Sequence, residues 1–247
     1  MTTVGSHVVP EADLQAALFD IDGTLIDSMP RFFPSWNDAG EAHGITMSEA
    51  AFYTYAGMPL PDICRDLYRS HRGGEEPSDE WIAQFMEEKK RAHVAREAVA
   101  GTPPAIDAVV ARARAHAAAG VPCVAATSGL REHVEAHLAA AGLGDLFPSA
   151  RIICAADLPK GRGKPKPDIF LRAAALVGAD PARCVAYEDA EAGLEAAWRA
   201  GCHVVDVTDY PGYPLPDGLA KAKVQQRAAR AWLVEPADAG CGCGPLC

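Results

Sequence analysis

The sequence predicts an α/β fold: a parallel sheet flanked by helices, with a helical segment inserted near its N-terminal end. Three observations predict it. Short apolar runs recur at residues 16–20, 122–126, 151–155, 183–187 and 203–207. Each has the length of a buried strand and is bounded by turn residues. Stretches rich in Ala, Leu, Arg and Glu lie among them, at 105–119, 130–141, 169–177 and 190–200. Strand and helix alternating at this pace imply parallel strands joined by right-handed crossovers. The third observation is an interruption. Residues 29–103 carry helix-like segments at 31–43, 61–71 and 79–96 and no run with the character of a strand.

The first run, Ala16-Ala-Leu-Phe-Asp20, is cut by Gly23 and reads as a buried strand ending in a tight turn. Gly120, Gly142, Gly178 and Gly201 stand where helix C-caps are expected. Gly101-Thr-Pro-Pro104 reads as a hinge that would absorb opening and closing of the inserted segment over the sheet. The expected organisation is a core formed by 12–28 and 104–235, a helical cap at 29–103 and a flexible Cys/Gly-rich tail at 236–247.

A chain of 247 residues can bury a sizeable core, and 49% apolar with 23% charged residues is an ordinary globular balance. The formal net charge of −10 argues against an electrostatic grip on nucleic acid or anionic membrane. It leaves room for one phosphate monoester, because a buried Lys and a divalent cation can outweigh diffuse surface charge. No apolar run has the length of a membrane span, and residues 1–10 lack a secretory signal pattern. Residues 2–7 read as a polar leader. The expectation is a cytoplasmic protein, monomeric or weakly homodimeric, with no nucleic-acid or membrane partner. Of eight Cys, Cys123, Cys154, Cys184 and Cys202 read as free buried thiols, and Cys241, Cys243 and Cys247 fit no common zinc spacing.

The chemistry starts at Asp20-Ile-Asp22-Gly23-Thr24. Two carboxylates at i and i+2 sit where the chain leaves a buried strand. One can attack phosphorus to form an aspartyl-phosphate, and the other can protonate the leaving oxygen and then activate water. Alone, the pattern also suits an Asp-rich turn or a calcium loop.

Phe19-Asp-Ile-Asp-Gly-Thr-Leu-Ile-Asp-Ser28 closely resembles the first motif of the haloacid dehalogenase-like hydrolase superfamily. The resemblance implies a Rossmann-like parallel sheet core with an inserted α-helical cap domain. It also implies Asp20 as nucleophile and Asp22 as general acid and base. The family's dehalogenases tend to carry Tyr at the second position and its phosphonate hydrolases Ala, so Asp22 favours an oxygen ester. The remaining motifs follow in order. Val121-Pro-Cys-Val-Ala-Ala-Thr127-Ser128-Gly129 offers a hydroxyl and backbone N–H groups for a phosphoryl oxygen, or simply a helix cap. Arg131 could add charge there or lie on a solvated face. Gly163-Lys164-Pro165-Lys166-Pro167-Asp168-Ile-Phe170 matches the family's lysine segment and selects Lys164 over Lys160 and Lys166. Its ammonium would neutralise nucleophile and phosphoryl group in turn, so its removal should stop turnover and leave the fold intact. Val185-Ala-Tyr-Glu188-Asp189 resembles the family's metal motif. Mg2+ would take Asp20, the Asp22 backbone carbonyl and Asp189, with Glu188 ligating or positioning a water.

Residues 29–103 resemble the cap of the β-phosphoglucomutase-like and sugar-phosphatase branch. The mutases carry a His about ten residues after the second Asp, where this chain has Phe32. They carry an Arg just after the cap's Gly segment, where this chain has Met58-Pro-Leu-Pro61. Both departures favour a phosphatase, with a phosphomutase as the alternative. Trp36, Tyr53, Tyr55, Lys89, Lys90 and His93 are the candidate cap contacts, against core packing or a solvated face for each.

Overall fold

A computed structural model describes residues 3–4, 9–228 and 230. Six strands form one sheet: β1 (Thr3–Val4), β2 (Ala16–Phe19), β3 (Cys123–Thr127), β4 (Ile152–Cys154), β5 (Cys184–Glu188) and β6 (His203–Asp206), in the order β1-β6-β5-β2-β3-β4. All pairs are parallel except β1 with β6. Five of the strands are the predicted apolar runs. β1 falls in the segment read as a polar leader. Two residues joined to an edge by backbone bonds need no apolar signature, so composition could not reveal it.

The side chains of β2 alternate across the sheet. Ala17 and Phe19 join a core layer with residues of α5 (Asp107–Ala118) and α6 (Arg131–Ala140). Ala16 and Leu18 join the opposite layer with α7 (Asp168–Leu176) and α8 (Glu191–Arg199). The sheet is therefore buried on both faces, which is why its strands are continuously apolar. β2, β3 and β5 are neighbours, so the residues that end them come together at one edge of the sheet, the carboxyl edge where ligands bind in such folds.

Between β2 and α5 lie four helices: α1 (Met29–Glu41), α2 (Glu49–Thr54), α3 (Leu60–His71) and α4 (Asp79–Ala100). They enclose their own core of Trp36, Phe52, Tyr53, Leu67, Ile82 and Phe85. Ser48 and Ser78 cap α2 and α4 by accepting from the backbone N–H groups of Ala51 and Trp81. The sequence does not predict α2, whose six residues are too few to display a helical period. It also does not predict α9 (Asp217–Ala228), a polar helix that packs on α2 and gives Leu219 and Ala222 to the cap core. Cys64, Cys123, Cys154, Cys184 and Cys202 are buried free thiols. The tail at 236–247, with its three Cys, lies outside the described residues, as does 231–235 of the expected core.

Candidate active site

Asp20 follows β2 directly, Thr127 ends β3 and Glu188 ends β5, so three adjacent strands deliver the first, second and fourth motifs. The third arrives on the turn before α7, where a cis Lys164–Pro165 peptide follows Lys164. Lys164 Nζ donates to Asp20 Oδ1 at 2.6 Å and to Glu188 Oε1 at 2.5 Å, with all three side chains buried. Glu188 Oε2 accepts from the backbone N–H groups of Asp189 and Ala190, 3.0 Å each, at the start of α8. Thr24 Oγ1 donates to Asp189 Oδ1 at 2.9 Å, and Asp189 Oδ2 is buried with no hydrogen-bond partner among the described residues.

Two glycines make this closeness possible. Gly23 has φ 86°, a conformation that L side chains rarely adopt, and a Cβ there would lie 2.4 Å from Asp189 Oδ2. Gly193, on the first turn of α8, leaves space for Glu188: a Cβ would lie 1.8 Å from Glu188 Oε1. Tyr213 supports the Gly23 turn from outside, donating its hydroxyl to the Gly23 carbonyl at 2.6 Å.

Among the described residues, three buried carboxylates face one contacting ammonium. Burial raises Asp20 well above the usual carboxylate range, with Lys164 pulling it down and Glu188 and Asp189 pushing it further up. Burial and Glu188 raise Asp189 to about 7. Lys164 is held above its ordinary value: burial opposes its charge, but Asp20 and Glu188 more than compensate. A surplus of buried negative charge is stable only if protonated or if a cation joins it. Oxygens of Asp20, Glu188 and Asp189 lie within 4.8 Å of one another, and the orphaned Asp189 Oδ2 is among the acceptors. This all-oxygen donor set fits a hard cation such as Mg2+. Glu188 is the least free of the three, because both its oxygens already accept hydrogen bonds.

Asp22 lies beside these groups, on the rim of a cleft shared with the cap. Ser28 Oγ donates to Asp22 Oδ1 at 2.7 Å, and the Gly129 backbone approaches so closely that a Cβ there would be 2.7 Å from Asp22 Oδ2. Thr127 Oγ1 accepts from Gly129 N–H at 2.9 Å. Ser128 Oγ donates instead to the Gly57 carbonyl of the cap at 2.8 Å. The structure thus gathers Asp20, Asp22, Thr127, Ser128 and Gly129 around one cleft, with Lys164, Glu188 and Asp189 behind it. Arg131 is directed elsewhere: it binds Asp157 at 2.7 Å and the Ile152 carbonyl at 2.9 Å.

The cap side of the cleft is apolar except for one ammonium. Phe32, Trp36, Tyr55 and Met58 line it, with Lys89. Lys89 Nζ lies 4.4 Å from the Phe32 ring centroid and 5.5 Å from that of Trp36. Burial lowers its pKa to about 8, with Asp22 pulling the other way. Of the remaining cap candidates, Tyr53 is buried in the cap core and Lys90 pairs with Glu132 at 2.6 Å. His93 is buried against Phe32, ring centroids 4.7 Å apart.

Residues 14–201 match the family described as "Hydrolase: haloacid dehalogenase-like hydrolase". Hexitol phosphatase A of Escherichia coli K12 is 32% identical over 190 residues, covering 77% of this chain and 81% of that protein. Fructose-1-phosphate phosphatase YqaB of the same organism is 30% identical over 192 residues, covering 77% and 94%. Among solved structures, CbbY of Rhodobacter sphaeroides in complex with xylulose-(1,5)bisphosphate superposes with a TM-score of 0.64 at 26% identity, covering 77% of this chain and 84% of that one.

Proposed function

This chain belongs to the haloacid dehalogenase-like hydrolase family, and from that premise we propose that it is a magnesium-dependent phosphatase of small phosphorylated metabolites, sugar phosphates first among them. One observation carries the reading: Lys164 bridges Asp20 and Glu188 beside Asp189, at the edge of a cleft that also receives Asp22.

In the proposed reaction a carboxylate oxygen of Asp20 attacks phosphorus. The Asp20–phosphorus bond forms as the phosphorus–ester oxygen bond breaks, giving an aspartyl-phosphate. Asp22 gives its proton to the departing alkoxide. It then accepts a proton from a water that attacks the phosphorus and releases Asp20. Ser28 holds Asp22 in place for both transfers. Thr127 and the Gly129 turn would receive phosphoryl oxygens at the opening of α6. Lys164 offsets charge on Asp20 before the attack and on the phosphoryl group after it. Mg2+ held by Asp20, Asp189 and the Asp22 carbonyl, with Glu188 behind, would screen the repulsion between carboxylate and phosphate. The cleft's apolar wall and the Lys89 ammonium suit a compact, polar ligand with a second acceptor group. The two phosphatases named above, whose own names specify hexitol and fructose 1-phosphate substrates, support that size class.

Phe32 favours hydrolysis over transfer to a second hydroxyl. The position where the mutases carry a His holds an apolar ring under Lys89, which can move no proton; His133, the imidazole that lines the cleft, comes instead from core helix α6. The test is Mg2+-dependent turnover of a panel of sugar phosphates, with products separated. Free phosphate with an unphosphorylated sugar is expected. An isomerised ester would establish the mutase, and full activity after Asp20→Asn would overturn the mechanism.

A further inference from the structure

A second set of ligand-type side chains lies outside the carboxylate site, on the seam between cap helix α4 and core helix α6. His93 and Glu97 stand one turn apart on α4, and His133 and His137 one turn apart on α6, so each pair shares a helix face. His137 Nε2 lies 2.7 Å from Glu97 Oε1, and His93 Nε2 lies 3.4 Å from Glu97 Oε2. The donor atoms of these three residues are all within 4.8 Å of one another. A tetrahedral shell with bonds of about 2.0–2.1 Å separates its donors by about 3.3 Å, so small side-chain rotations would close it.

The hydrogen bonding is incomplete in a way that asks for a ligand. His93 is 0% exposed, yet among the described residues neither of its ring nitrogens has a hydrogen-bond partner. His137 Nδ1 is also buried without one. Buried polar atoms are almost always satisfied, so two such rings side by side need a cause. An imidazole ligates metal through a ring nitrogen that is free to donate its lone pair, and these buried nitrogens are placed to do so.

We propose that His93, Glu97 and His137 form a second metal site, for a borderline divalent cation such as Zn2+, which ties the cap to the core. Water or His133, whose ring centroid is 5.4 Å from that of His93, completes the shell. The two sites sort cations by chemistry: all-oxygen donors beside Lys164 suit Mg2+, and imidazoles with one carboxylate suit Zn2+. The position also gives the ion a mechanical consequence. Glu97 is four residues before Gly101, the C-cap of α4, and the Lys90–Glu132 ion pair crosses the same seam. A bound ion would hold α4 on α6 and favour the closed cap.

The experiment uses the full chain with Mg2+ in excess, titrated with Co2+ as a spectroscopic probe and with Zn2+. Bound metal is counted after dialysis for wild type, Glu97→Gln and His137→Gln. Glu97→Gln keeps size at a residue whose side chain is 21% exposed, so it tests the site even if His137→Gln folds poorly. Wild type is expected to hold one equivalent more than either variant. Its visible Co2+ bands should weaken at least tenfold in both, and Zn2+ should raise the Tm of wild type alone. Thiolate binding by Cys241, Cys243 or Cys247 would give a near-ultraviolet charge-transfer band common to all three proteins. Equal uptake and equal Tm shifts in wild type and variants, or no uptake at all, would overturn the proposal. None of these readouts requires turnover, so the result stands apart from the phosphatase reading.

Discussion

Lys164 Nζ and Asp20 Oδ1 lie 2.6 Å apart although the two residues are 144 positions apart in the chain, and both are buried. This contact joins the turn before α7 to the central strand. It sets the charge state of the whole site, because the same ammonium also serves Glu188.

Lys164→Met should abolish turnover and also destabilise the protein. The sequence alone leads to an expectation of an intact fold, but burial changes that. Removing the ammonium leaves three carboxylates with no contacting cation, a loss on the order of 3–5 kcal/mol. Asp20 and Asp189, already raised, then titrate even higher. An acid whose folded pKa is raised destabilises the fold as pH rises above the unfolded value, so the loss should be largest at neutral pH and smaller near pH 4. Denaturant melts at both pH values, without Mg2+, measure it.

Asp20→Asn should lower turnover by about 10⁴-fold or more, as loss of a nucleophile does. It also removes one of three crowded carboxylates. The metal-free variant should therefore melt higher than metal-free wild type, and Mg2+ should raise its Tm less. Parallel melts with EDTA and with Mg2+ check both signs.

Gly193→Ala decides between two opposed effects. Replacing Gly in a helix ordinarily gains about 1 kcal/mol. Here the new Cβ would fall 1.8 Å from Glu188 Oε1, so Glu188 must move and loosen its hold on Lys164. Overpacking of this kind costs about 1–3 kcal/mol, and the net sign should be destabilising. Activity should fall with stability. A gain in Tm would mean that Glu188 has room to shift.

Lys89→Met should separate binding from chemistry. The folded pKa of about 8 lies below the ordinary 10.5. Between those values the unfolded chain holds the extra proton, so stability rises with pH across that window and the burial penalty is full below about pH 8. Removing the charge should stabilise the fold at pH 7 by roughly 1–3 kcal/mol, less whatever the Phe32 and Trp36 contacts contributed. The same change should raise KM with little effect on kcat. In wild type KM should climb above about pH 8 as the ammonium is lost, and in the variant that rise should vanish.

Thr127→Val and Ser128→Ala should differ although the residues are adjacent. Thr127 Oγ1 accepts from Gly129 N–H beside Asp22, so Val disturbs the turn that the proposed mechanism assigns to the phosphoryl oxygens. Ser128 donates to the cap carbonyl of Gly57, so Ala removes one cap–core bond worth about 1 kcal/mol. Steady-state kinetics should show a large fall in kcat for Thr127→Val and mainly a KM effect for Ser128→Ala.

Most of the core was legible because its signals are local. The five parallel strands are short apolar runs with both faces buried, and each is followed or preceded by a helix with a glycine near its end. Asp20, Thr127 and Glu188 were legible because each sits at the end of such a run, and Lys164 because its Gly-Lys-Pro-Lys-Pro-Asp segment is distinctive in itself. What escaped were elements without a periodic signal: β1 with two residues, α2 with six, and the polar helix α9. His93, Glu97, His133 and His137 also escaped as a group. Two i, i+4 pairs were visible in the chain, but nothing in the sequence says that α4 lies on α6.

The sequence by itself determined the α/β alternation, the helical insertion and the identity of the residues at the strand ends, because apolar periodicity and motif order survive without a third dimension. Tertiary structure alone decided what those residues touch. Lys164 became a buried bridge between Asp20 and Glu188. Ser128 was drawn to the cap, Arg131 away from the cleft, and Lys89 into it over Phe32. Distances and burial set pKa values and hydrogen-bond partners, and both depend on which distant segments the sheet order and the cap's packing bring together.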